Sequence, residues 1–130
     1  MFRGLIPVFL LAALAACGGV TDPSQNQNQT FNGTVQVGGA STQQFSVSKS
    51  GEISAVVTSF NPVLPSGTLF GVAWGQLLSG QCSIISLNQF AVTGATVVSS
   101  AVTPGTYCIS IIDEGLFKVN EDYVLTVSHP

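Results

Sequence analysis

The feature that most constrains this chain is its punctuation. From Phe31 to the carboxyl terminus, short runs of alternating apolar and polar residues are each bounded by a turn former. The clearest run follows Pro104-Gly105, where proline sets φ for the first turn position and glycine accepts φ > 0. Tyr107, Ile109 and Ile111 then alternate with Cys108 and Ser110, which is the period of a half-buried strand and not of a helix face. Across a short polar loop, Tyr123, Leu125 and Val127 repeat the pattern against Val124, Thr126 and Ser128, and the two runs read as a closing hairpin. Earlier strands are predicted near Phe31 to Val37, Gln43 to Ser48, Ile53 to Ser59, Thr68 to Trp74, Ile84 to Phe90 and Thr96 to Val102. Turn chemistry fills the intervals at Gly38-Gly39, Ser50-Gly51, Asn61-Pro62, Pro65-Ser66-Gly67, Ser79-Gly80 and Thr93-Gly94. No window of helical length combines apolar spacing of 3.6 with a cap. The expected class is therefore all-β, an antiparallel sandwich or a barrel of about seven or eight strands.

The amino-terminal region is of another kind. Arg3 precedes an apolar run from Leu5 to Ala16, 12 residues that are too few to cross a bilayer core but suit a signal peptide. The run ends Leu14-Ala15-Ala16-Cys17, which resembles a bacterial lipobox. That resemblance implies a signal peptide over 1–16, cleavage before Cys17, and acylation of the Cys17 thiol and its new amino group. Gly18 stands where an Asp is the usual inner-membrane retention signal, so the resemblance implies the outer membrane of the bacterial envelope. More than one buried acyl chain makes such an anchor essentially permanent, since each methylene contributes about 0.8 kcal/mol. From Gly18 to Thr30 the chain is rich in Gly, Gln, Asn and Thr and lacks apolar periodicity, so 17–30 is expected to be a lipidated flexible tether reaching about 20 Å.

The remaining 100 residues, 31–130, have single-domain length. Gly33-Thr34, Phe45-Ser46-Val47, the Gly51 turn, Pro104-Gly105-Thr106-Tyr107 and Tyr123-x-Leu125-Thr126-Val127 together resemble the bacterial pre-peptidase C-terminal domain. The resemblance implies a jelly-roll-like β-sandwich, of a kind usually appended to secreted peptidases. No peptidase accompanies it here, and Gln43-Gln44 stand where many members carry an Asp and an aromatic residue.

Charge narrows the partners. Beyond Ala16 the chain keeps Lys49 and Lys118 against Asp22, Glu52, Asp113, Glu114, Glu121 and Asp122, so 2 − 6 = −4 at pH 7. Nucleic acid is excluded as a partner, because binding it requires clustered Lys or Arg to displace counterions. Asp113, Glu114, Glu121 and Asp122 flank the last loop and are the candidates for an oxygen-ligated cation. Their spacing matches no calcium loop and Lys118 sits among them, so a solvated acidic turn is expected, with no metal and no cofactor. Trp74, with Phe70 and Val72, could form an aromatic platform for sugar, but the alternation suits an inward face. His129, the single histidine, has no partner set for a triad or a zinc site and lies at a chain end expected to fray. With no nucleophile elbow, phosphate loop or two-histidine motif, catalysis is not expected.

Two cysteines remain once Cys17 is set aside. Export places Cys82 and Cys108 in an oxidising compartment, and the even pair is expected to form a disulfide. If Tyr107, Ile109 and Ile111 face the core, Cys108 points outward, so the bond should lie on the outer face or edge of the closing hairpin and not cross the interior. The expected function is a membrane-anchored, non-catalytic binding or accessory module with a protein or glycan partner. The alternative is a purely structural envelope lipoprotein without a specific ligand.

Overall fold

The computed structural model describes residues 25–130. The predicted signal peptide, Cys17 and the first part of the tether lie outside the described residues. Eight strands follow one another: β1 (Gln27–Val35), β2 (Ala40–Val47), β3 (Gly51–Asn61), β4 (Phe70–Leu78), β5 (Gln81–Ala91), β6 (Thr96–Val102), β7 (Gly105–Ile112) and β8 (Glu121–His129). They form two antiparallel four-stranded sheets, ordered β1-β8-β3-β6 and β2-β7-β4-β5. Every strand has its mirror partner in chain order: β1 pairs with β8, β2 with β7, β3 with β6 and β4 with β5. The domain is thus one long antiparallel hairpin, doubled back at Ser79-Gly80 and rolled into two layers, which is a jelly roll. The midpoint has the chemistry such a bend demands. Ser79 and Gly80 have φ of 50° and 78°, and positive φ at both central residues defines the two-residue turn whose twist matches its strands.

Alternation places the core. Ile53, Ala55 and Val57 of β3, Tyr107, Ile109 and Ile111 of β7, and Leu125 and Val127 of β8 are buried between the sheets. Each large side chain so buried contributes about 1.5–3 kcal/mol. Phe70, Val72 and Trp74 of β4 also face this core, as their spacing predicts. Phe60 meets Phe70 and Phe117 edge-on, at centroid distances of 5.0 and 5.5 Å. Gly33 is a close-approach site, because a Cβ there would lie 2.5 Å from the Tyr123 hydroxyl. The Tyr123 ring therefore reaches over β1, where its hydroxyl accepts from Gln43 Nε2 at 2.9 Å and pairs with Ser41 Oγ at 2.8 Å. These bonds join the two sheets along their β1–β2 side.

Three expectations need correction. The last two strands are not a hairpin. β7 lies in the second sheet between β2 and β4, whereas β8 lies in the first between β1 and β3. The linker 113–120 is long enough to change layers, and alternation sets the face of a strand but not its neighbour. The tether is also shorter than its composition suggests, because Gln27 to Thr30 already pair with His129 to Thr126. Those residues are exposed on an edge strand, so backbone hydrogen bonds order them without any apolar period. Finally, the carboxyl-terminal end does not fray. His129 is buried in β8, stacked on Phe45 at 5.4 Å with Nε2 3.2 Å from Gln29 Oε1.

Candidate functional site

Strand directions sort the connections into two groups. The linkers 36–39, 62–69, 92–95 and 113–120 all lie at one end of the roll, here the loop end. The turns 48–50, 79–80 and 103–104 lie at the other, together with Gln27 and its partner His129; this is the terminal end. Each end carries a distinct feature.

Asp113 organises the loop end. Its Oδ1 accepts from the backbone N–H groups of Gly115, Leu116 and Phe117 at 2.8, 3.0 and 3.0 Å, and Oδ2 accepts from Gly38 N at 2.7 Å. Its own N–H donates to the Gly39 carbonyl at 2.9 Å. Burial pushes this carboxyl up, but the four backbone donors outweigh that and hold it below the usual carboxylate range. One side chain thus fastens the 36–39 turn to the 113–120 linker. Around it the loop end exposes Val37, Val63, Leu116 and Val119, with Phe90 near the end of β5. Val63 is the most open of these, at 87%.

The other acidic residues do not join Asp113. Glu121 is buried, with Oε2 lacking a hydrogen-bond partner, and burial followed by repulsion from Asp122 raises its pKa. Asp122 is exposed on the opposite face of β8 and accepts from Thr34 Oγ1 at 2.6 Å. Glu114 is exposed, with its carboxylate over Gly71. Asp113 has committed both oxygens to the backbone, and among the described residues no three His, Cys, Asp or Glu side chains gather as a cation site. Asp113-Glu114-Gly115 carried the signal for the arrangement that does exist, since Asp two residues before Gly favours a side chain bonded to its own following backbone. The burial of Glu121 had no such signal, because adjacent acids in a loop read as solvated.

The terminal end carries a cleft of about 740 Å³, opened where the edge strands β5 and β6 stand apart. Trp74, Tyr107, Val102 and Ile85 supply its apolar lining, and Glu52 and Gln76 are among its polar residues. The Trp74 and Tyr107 rings lie 6.3 Å apart, and the Tyr107 hydroxyl donates to the Thr103 carbonyl at 2.7 Å, clipping the 103–104 turn to β7. Ile85 is about half exposed in this cleft, at 58%, and Leu78 and Ile84 are about half exposed elsewhere on the β4–β5 hairpin, at 53 and 52%. No ionisable Asp, Glu, Lys, Arg or His occurs anywhere in the 60 residues 53–112, so β4, β5 and β6 are uncharged throughout.

Cys82 and Cys108 form a disulfide, with Cα atoms 6.0 Å apart. Cys108 is fully buried yet lies on the face of β7 opposite Tyr107, Ile109 and Ile111, so the bond sits outside the inter-sheet core, as alternation predicts. It links β5 to β7 across β4, whose Gly75 pairs with Cys108. A Cβ at Gly75 would overlap the Ser83 carbonyl oxygen, so glycine is what allows β5 to fold close over β4. Both register shifts of this pair place the extra residues in β5: Ile85 between the partners of Trp74 and Gly75, and Gln89-Phe90 opposite Gly71.

No family model matches the chain, and no curated protein matches it. Among solved structures it is similar in fold to the Yersinia pseudotuberculosis-derived mitogen, with a TM-score of 0.56 and 16% identity over 81% of this chain and 87% of that one.

Proposed function

We propose that this protein is a lipid-anchored, non-catalytic binding module of the bacterial envelope that meets a protein or glycan partner through its loop end. The observation that carries the reading is the separation of the two ends. Both termini of the domain leave from one end, while the four linkers, three of which carry the exposed Val37, Val63, Leu116 and Val119, gather at the other. An anchor at Cys17 holds the terminal end near a membrane and presents the loop end outward. Apolar side chains of this size on fixed loops are what a recognition surface provides, and Asp113 holds those loops in place. The resemblance to the pre-peptidase C-terminal domain supports an accessory role. The polar residues found speak for binding over catalysis: Asp113 has both oxygens occupied by backbone donors, and His129 is enclosed by Phe45, Gln29 and Pro130.

The test is proximity labelling in intact envelopes, comparing the natural chain with a Val63→Glu, Leu116→Glu variant. Both positions are exposed, so folding is expected to survive. A partner that the natural chain labels and the variant does not supports the reading, while identical labelling by both defeats it. Mass spectrometry of the mature amino terminus tests the anchor separately, with acylated Cys17 as the expected result.

A further inference from the structure

We propose that the terminal end of the domain rests on the bilayer that holds its anchor, with the β4–β5 hairpin as the contact, through Leu78, Ile84 and Ile85. The inference rests on the acylation of Cys17 and the orientation proposed above, and adds a lipid-contacting surface to them.

Reach is the first argument. The described chain starts at the terminal end, where Asn26 Nδ2 donates to the Glu52 carbonyl at 2.7 Å and to Ser128 Oγ at 3.2 Å, fixing where the chain leaves the roll. Seven residues separate Cys17 from Gln25, eight steps of the backbone, so that end stands at most about 28 Å from the anchor even if they were fully extended. A link this short keeps the hairpin at an effective concentration on the order of millimolar relative to the surface, where a small apolar contact suffices.

Charge is the second. A group entering the headgroup region must shed water, which is costly for ions and cheap for apolar side chains. The hairpin offers Leu78, Ile84 and Ile85 about half exposed, on strands free of Asp, Glu, Lys, Arg and His. Asp113, Glu114, Glu121 and Asp122 all belong to the loop end and its strand termini, against the single Lys118, whereas the terminal end carries Lys49 and Glu52, one charge of each sign. An envelope surface carrying anionic lipid therefore repels the loop end and tolerates the terminal end, which favours one orientation.

A second copy of the chain is the less fitting occupant. Strand addition needs a straight run of free backbone groups, and β5 is interrupted at Ile85 and at Gln89-Phe90 by its two bulges. A bilayer needs only side chains, and these the bulged strand still presents.

The experiment uses the anchored protein, purified from membranes and reconstituted into phosphatidylcholine vesicles with and without brominated acyl chains. Leu78→Trp and Val63→Trp place a reporter at the terminal and loop ends, both at exposed positions, and the natural chain supplies the Trp74 background. Bromolipid should quench the Leu78→Trp reporter at least twofold and leave the Val63→Trp reporter unchanged. Equal quenching at both positions, or at neither, in protein whose mass shows acylated Cys17 would overturn the orientation while leaving the anchor intact. Protein whose Cys17 carries no acyl group overturns both, and the mass spectrum separates the two failures.

Discussion

Replacing Asp113 by Asn tests whether one carboxylate holds the loop end together. Asn retains a carbonyl for Gly115, Leu116 and Phe117 but presents an amide NH₂ to the Gly38 N–H, where two donors cannot bond. Hydrogen bonds to a charged group contribute about 1.5–3 kcal/mol each, against about 0.5–1.5 for neutral partners. Losing one such bond and weakening three, two of which can be replaced by water, should cost about 3 kcal/mol. For a domain of this size that lowers Tm by roughly 12–24 °C. The sign of the pH dependence follows from the depressed pKa. A carboxylate held below its unfolded value stabilises the fold above that value, near pH 4, and loses its contribution as pH falls through the folded value. Asn does not titrate, so the gap between natural and variant proteins should be widest at neutral pH and narrow on acidification. Thermal melts by circular dichroism from pH 7 to pH 2.5 measure it. A gap under about 3 °C at pH 7, or one that stays flat or widens toward acid, refutes the reasoning.

Other perturbations probe the remaining features. Replacing Cys82 and Cys108 by Ser opens a 27-residue loop and should lower stability by about 3.6 kcal/mol in the chain-entropy model, while thiol titration of the denatured, unreduced natural protein should find neither cysteine free. Gly75→Ala sets a Cβ against the Ser83 carbonyl, so urea unfolding should show a loss of at least about 3 kcal/mol; an unchanged midpoint would mean that β5 does not lie over β4. Tyr123→Phe leaves Ser41 and Gln43 without their shared partner between the sheets and should cost about 1–2 kcal/mol by the same assay. Glu121→Gln should stabilise the protein at pH 7, because a carboxyl whose folded pKa is raised opposes folding when ionised. That gain should shrink as pH falls through the folded pKa, and a natural protein more stable than the variant at pH 7 would refute the assignment.

Local physics already determines much of this fold from the residues themselves. Alternation at Tyr107, Ile109 and Ile111 sets which way Cys108 points, because side chains of a strand must alternate whatever its neighbours are. The same rule places Phe70, Val72 and Trp74 inward, and Ser79-Gly80 marks a tight bend because positive φ at two successive residues is a local demand. Even the cysteine pairing is a matter of counting once Cys17 is set aside. Partnership between distant segments is different in kind. That β8 lies between β1 and β3 and not beside β7, and that Gln27 to Thr30 are strand despite a tether-like composition, depend on which edges remain free once the long hairpin has rolled. Asp113 and Glu121 show the same division between carboxylates of similar sequence surroundings. One is ringed by backbone donors and the other is buried with an oxygen left alone, because the first sits where two linkers meet and the second faces into the roll. Hydrogen-bond partners and desolvation are properties of the assembled layers, so only the tertiary structure could decide them.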